Sequence, residues 1–184
     1  SFEEKLDKVV REVEDKIRRL VKRNRDAVKR VADEIRKLKD RNEEVVDRAR
    51  EKIKRLIDEI RRDEDLVRRL KKVLEEVERR HKELVRRAEK ALEEIRRSHE
   101  RNIRELERVL EEIKKEIEDV KRKRVTKEVE EVLTRLKEKL KRVEESSEKV
   151  VRDSERLLEK IKKLSKDVED ESRKLLERVE REVR

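Results

Sequence analysis

The feature that most constrains this chain is the phase of its apolar residues. Phe2, Leu6, Val9, Val13, Ile17 and Leu20 lead on to Val28, Val31, Ile35 and Leu38, and then to Val46, Ala49, Ile53, Leu56 and Ile60. Asn24 and Asn42 fill the two gaps, and with them every step is three or four residues. The seventeen positions from Phe2 to Ile60 have a mean step of about 3.6, the repeat of an α-helix. A stripe of this kind is buried only if the backbone is helical and another element covers it. Period-two alternation is missing, so no strand is expected.

Composition alone points elsewhere. With 61% of its residues charged and Phe2 its one aromatic, the chain has the makeup of a disordered polyampholyte. Such a polymer keeps no apolar phase. The polar remainder is built from strong helix formers, and Glu12–Lys16, Glu14–Arg18, Asp15–Arg19, Glu51–Arg55, Glu75–Arg79 and Glu111–Lys115 stand four apart in the favourable order, each pair contributing about 0.2–0.5 kcal/mol. Absence of Cys excludes disulfides, thiolate metal sites and a cysteine nucleophile. The longest apolar run is two residues, too short for a transmembrane helix or signal-peptide core. The expectation is a soluble chain with no targeting signal, suited to recombinant cytoplasmic expression.

Gly and Pro are also absent, so helix ends must be read from caps and charge. Ser1 with Glu4 forms a capping box, Asp65 precedes Leu66, and Thr126 precedes Val129 with Glu128 in its first turn. Arg61–Arg62 and Lys121–Arg124 stand where a helix C-terminus carries partial negative charge. These signals predict helices over about 1–62, 65–121 and 126–184, each roughly 85–90 Å long at 1.5 Å per residue.

Polar residues on the apolar stripe predict a register. Asn24 and Asn42, His81 and His99, and Ser147 and Ser165 are three pairs, each 18 residues apart, or five helical turns. Residues facing each other in an antiparallel pair have numbers with a constant total. Asn24 with His99 and Asn42 with His81 each total 123; His99 with Ser147 and His81 with Ser165 each total 246. Half of each total falls at an expected turn. The prediction is an all-α, up-down-up antiparallel three-helix bundle of long, nearly straight helices, forming one elongated domain over 1–184. Two polar layers, Asn24/His99/Ser147 and Asn42/His81/Ser165, would lie between end layers Leu6/Ile117/Val129 and Ile60/Asp63/Val183. Ser154 and Ser172 repeat the same step and suit close helix approach, and Ser98, Asn102 and Ser146 flank one layer.

An imidazole facing an amide and a hydroxyl can donate from one nitrogen and accept at the other, so each layer can satisfy itself. The catalytic alternative is a Ser–His–Asn constellation with Ser147 or Ser165 as nucleophile. A continuous helix offers no free backbone donors for an oxyanion hole. A zinc site would have one imidazole per layer. No catalytic, cofactor or metal residue is therefore expected. The net charge of +10 comes from 61 cations among 51 anions, with no basic run longer than Lys121–Arg124 and no stacking aromatics. A solvated surface is expected, with neither membrane nor specific nucleic acid as partner. Salt-sensitive, non-specific adhesion to polyanions is the alternative.

Terminal caps, a Glu/Lys/Arg surface, an aliphatic seam and polar layers at fixed period make the whole chain resemble de novo designed helical bundles carrying modular buried hydrogen-bond networks. Spectrin-like repeats are the nearest natural comparison, and they carry core Trp that this chain lacks. The resemblance implies a single-chain scaffold in which Asn24, His99, Ser147, Asn42, His81 and Ser165 fix register and partner choice. Such a chain is expected to be a monomer with no natural ligand, cofactor or enzymatic activity. The rival expectation is an interaction module that exchanges helices into a domain-swapped dimer or admits a partner, with a pH response through its buried histidines.

Overall fold

The computed structural model describes residues 2–123 and 126–184, and their side chains except at 126–128. Three helices follow one another: α1 (Phe2–Glu59), α2 (Glu64–Lys123) and α3 (Thr126–Val183), of 58, 60 and 58 residues. No strand occurs among the described residues. The protein is an all-α three-helix bundle. The caps expected at Ser1, with Glu4, and in the side chains of Thr126 and Glu128 lie outside the described residues, as does Arg124.

Helix ends depart from expectation for local reasons. Asp63, not Asp65, caps α2: its Oδ1 accepts the Leu66 N–H at 3.2 Å, the bond from the third helical position that an N-cap side chain makes. Glu64 and Asp65 then supply first-turn acids, favourable at the positive end of the helix dipole. Because α1 stops at Glu59, Arg61 and Arg62 lie in the turn rather than in its last turn. The closing bonds run from Ile60 N–H to the Leu56 and Ile57 carbonyls, at 3.1 and 3.2 Å. α2 continues to Lys123, placing Lys121, Arg122 and Lys123 at its negative end.

The chain divides into two compact units, each drawing on all three helices: Ser1–Arg30 with Glu93–Glu155, and Val31–Leu92 with Arg156–Arg184. In the first unit Leu6, Ile17, Leu106, Ile113, Ile117 and Val143 belong to a core closed by half-buried neighbours including Phe2 and Val129. Burial of each such side chain contributes about 1.5–3 kcal/mol. Asp7 pairs with Lys121, and Glu14 with Lys114 at 3.0 Å; both totals are 128, so α1 and α2 run antiparallel there. Lys16 of α1 meets Glu144 of α3, and Lys139 of α3 lies 3.5 Å from both Glu112 and Glu116 of α2.

The second unit has its own core of Ile53, Leu70 and Val179, with Leu56, Ile57, Ile60, Leu176 and Val183 packed against it. Asp63, expected beside Ile60 and Val183, instead serves as the cap and is exposed. Here Lys39 pairs with Glu89, and Arg50 with Glu78 at 3.0 Å, again totalling 128. Arg80 with Glu171 and Arg69 with Glu182 total 251 between α2 and α3. Lys52 reaches Glu180, joining α1 to α3.

Candidate functional site

The chemistry-bearing groups off the surface form two buried polar clusters, one in each unit. In the first unit Asn24, Asn102 and Ser147 are 1%, 2% and 1% exposed. The Asn102 Oδ1 accepts from Asn24 Nδ2 and from Ser147 Oγ, each at 3.0 Å. One oxygen thus ties a residue from each of the three helices. The Asn24 Oδ1 and Asn102 Nδ2 are buried without partners, so the cluster is incompletely satisfied and carries the desolvation cost of both groups.

His99, expected in this layer, is not the residue that meets Asn24 and Ser147. It is half-buried, and its Nδ1 is enclosed without a hydrogen-bond partner. Burial lowers its pKa, the Arg25 cation lowers it further, and Glu100 opposes both. The physical reason for the substitution of Asn102 is side-chain direction. A helical side chain leans toward its own N-terminus, so in an antiparallel pair the tips that meet have a higher number total than the backbones that face. The α1–α2 turn between Glu59 and Glu64 fixes the backbone total at 123, whereas Asn24 and Asn102 total 126. A second shift adds to this between α2 and α3: the break lies between Lys123 and Thr126, giving a backbone total of 249 in place of 246.

The second unit holds Asn42, His81 and Ser172, which are 5%, 2% and 1% exposed. Ser172 Oγ lies 3.3 Å from His81 Nε2. Asn42 Nδ2 donates not to the imidazole but to the His81 backbone carbonyl, at 3.4 Å. That pair totals 123 because the His81 carbonyl points toward the C-terminus of its helix and so offsets the lean of the Asn42 side chain. His81 Nδ1 is buried without a partner, and burial pushes the imidazole below its ordinary value. Ser165 is buried at 6% exposure, but Ser172, two turns further along α3, is the residue on the ring. A groove of about 530 Å³ runs over this cluster, with Asn42 and His81 beside Val46 and Val85 and charged side chains at the rim.

These placements decide what the clusters can do. The Ser–His–Asn constellations expected as the catalytic alternative are not assembled: Ser147 donates to an amide, and Asn42 bonds the backbone of His81 without orienting its ring. Ser172 and His81 do form a hydroxyl–imidazole pair, but no group fixes the His81 tautomer through Nδ1. Among the described residues, no group of three or more His, Cys, Asp or Glu is placed to hold a metal ion, and no helix is long and apolar enough to cross a membrane. Sequence reasoning ranked Asn102 and Ser172 as accessories. Both lie on the apolar stripe, and correcting for side-chain lean is the signal that singles out Asn102. Ser154, another seam hydroxyl, returns its proton to the Val150 carbonyl of its own helix at 2.7 Å.

No protein family, curated protein or solved structure matches this chain.

Proposed function

We propose that this protein is a structural scaffold of the de novo designed kind, without catalytic function or required partner, in which buried polar clusters select the register of each unit. The observation that carries the reading is the double acceptance at Asn102 Oδ1, which binds all three helices of the first unit through one atom. An aliphatic layer would pack with less cost, since a buried amide gives up its water for a net hydrogen-bond gain of only about 1 kcal/mol. What the amides and hydroxyl supply is a penalty on error. If α2 slips by one turn, Asn24 Nδ2 and Ser147 Oγ are stranded, at about 1–3 kcal/mol each.

The test is to replace the cluster by Asn24→Leu, Asn102→Leu and Ser147→Ala and to read register and mass separately. A cysteine pair at Glu14 and Lys114, joined by a short bismaleimide that spans the reach of the native ion pair, reports the native register, and one at Glu14 and Glu118 reports a one-turn slip. The parent should cross-link only through the first pair and keep a monomer mass in light scattering at every concentration. The aliphatic variant should be at least as stable, yet cross-link through both pairs or populate a dimer by helix exchange. Retention of one register and one mass by that variant removes the proposed role.

A further inference from the structure

The charge of α1 is concentrated in one segment. Residues 2–15 carry three cations and six acids, and residues 31–59 carry nine of each, whereas residues 16–30 carry eight cations against the single acid Asp26. Fifteen residues therefore hold a net +7 of the chain's +10. Lys16 is committed to Glu144, and Arg19 Nε to the Asp15 carbonyl. The other six cations of the segment have no ion-pair partner within 4 Å among the described residues, and all six are exposed. Arg18, Lys22, Arg25 and Lys29 repeat at steps of four, three and four, which is one face of a helix.

The facing helix repeats the pattern. Arg97, Arg101, Arg104 and Arg108 of α2 are exposed and have the same spacing read from the opposite direction. Arg18 with Arg108, Lys22 with Arg104, Arg25 with Arg101 and Lys29 with Arg97 each total 126, the total of the Asn24–Asn102 hydrogen bond in the same unit. The two rows are thus level, rung for rung. Each spans roughly 16 Å at 1.5 Å per residue. Acids stand among them, Asp26 on α1 and Glu100, Glu105 and Glu107 on α2; Glu107 lines a groove with Arg18, Lys22 and Arg25, and Glu105 a second one with Arg101, Arg104 and Arg108. None takes a cation of either row into an ion pair within 4 Å; only Arg108 has such a contact, at 4.0 Å from Glu112.

We propose that this basic belt of the first unit, centred on residues 16–30 of α1, is a docking surface for the phosphate backbone of duplex nucleic acid, bound without reading its bases. Regular, unpaired cations on an exposed helix face complement a polyanion of regular charge spacing and bind it by releasing its counterions. A single strand is a poorer fit, because its binding relies on stacking and Phe2 is the chain's one aromatic. A membrane is a poorer fit as well. Interfacial binding needs apolar side chains that enter the acyl boundary, and every apolar residue of the segment is buried or half-buried.

The experiment follows fluorescence anisotropy of a labelled random-sequence DNA duplex of about 30 base pairs, titrated with the full chain between about 50 and 200 mM salt. One variant carries Arg18, Lys22, Arg25 and Lys29→Gln, and a second carries Arg97, Arg101, Arg104 and Arg108→Gln. A charge-matched control carries Arg41, Arg48, Lys54 and Arg55→Gln in the second unit. The α1 variant should lose at least tenfold in affinity and flatten the slope of log K against log salt by about 3.6, at about 0.9 for each phosphate no longer neutralised. The α2 variant should shift in the same direction, and the control by less than about threefold. Circular dichroism confirms folding, and either belt variant suffices if the other unfolds. Equal losses in belt and control variants overturn the proposal, as does a parent that fails to bind the duplex. Binding of the parent to vesicles of about 30% phosphatidylserine but not to the duplex also overturns it.

Discussion

The two polar clusters share an Asn and a Ser, are completed by a second Asn in one and by His81 in the other, and differ in what they bond to. In the first cluster both bonds are between side chains, and a single Asn102 oxygen receives one donor from α1 and another from α3. In the second unit Ser172 meets the His81 ring, but Asn42 reaches only the His81 backbone carbonyl. Every residue presents a carbonyl and only one helix position presents that amide, so a bond to the backbone distinguishes register weakly and a bond to a side chain distinguishes it strongly. Burial and residue type do not by themselves make a specificity element; the bonded atom does.

The largest expected effect breaks the comparison at its centre. Asn102→Ala removes the shared acceptor and strands Asn24 Nδ2 and Ser147 Oγ, so its cost should be about 2–6 kcal/mol, from about 1–3 for each orphaned group. Asn42→Ala leaves only a carbonyl that its own helix already engages, and should cost about 1 kcal/mol. Chemical denaturation of both variants checks the contrast. Equal losses would mean that the backbone bond restrains the second unit as firmly as the node restrains the first.

A smaller effect sharpens it through pH. Both imidazoles have folded pKa values below the usual 6.5, chiefly from burial. Above about pH 6.5 both states are neutral and no linkage arises. As pH falls below that value the unfolded chain binds protons first, so stability declines until the folded imidazoles also protonate. His81 is buried beside a hydroxyl and is shifted by burial, whereas His99 is half-buried and feels Glu100 as well as Arg25. His81→Asn should therefore flatten the decline between about pH 6.5 and pH 5 more than His99→Asn does, in urea midpoints measured against pH. The reverse order would place the pH response in the first unit.

The helices were legible because their signal is redundant: each is specified by many apolar positions in phase, so an error of two residues at Asp65 or Lys121 leaves the rest intact. The clusters were legible only to within a turn. Eighteen-residue spacing located Asn24, Asn42 and His81 on the seam, and all three are buried. Equal totals of residue numbers treated each side chain as if it stood level with its Cα, and that assumption selected His99 over Asn102. Lean toward the N-terminus is invisible in a list of residue types, as is the two-residue extension of α2 to Lys123. The basic belt was missed for a related reason. Its cations are spaced by helical turns, so a search for contiguous basic runs finds Lys121–Arg124 and passes over residues 16–30.

The smallest prediction asks whether the contrast between units is confined to their interiors. Glu14–Lys114 in the first unit and Glu78–Arg50 in the second join the same two helices, have the same total of 128 and the same 3.0 Å separation. Their side chains are also alike in exposure, 27% and 49% against 31% and 56%. Water screens both, so double-mutant cycles should give each a coupling of about 0.2–1 kcal/mol, reduced in about 1 M salt, where the screening length is about 3 Å. Because Arg and Lys differ mainly in planar, two-pronged bonding and each pair is held by a single nitrogen–oxygen approach, the two couplings should agree within about 0.5 kcal/mol. A surface pair in one unit that matched the loss expected for Asn102→Ala would show register to be set from outside, and the buried node would then be a consequence of the register rather than its cause.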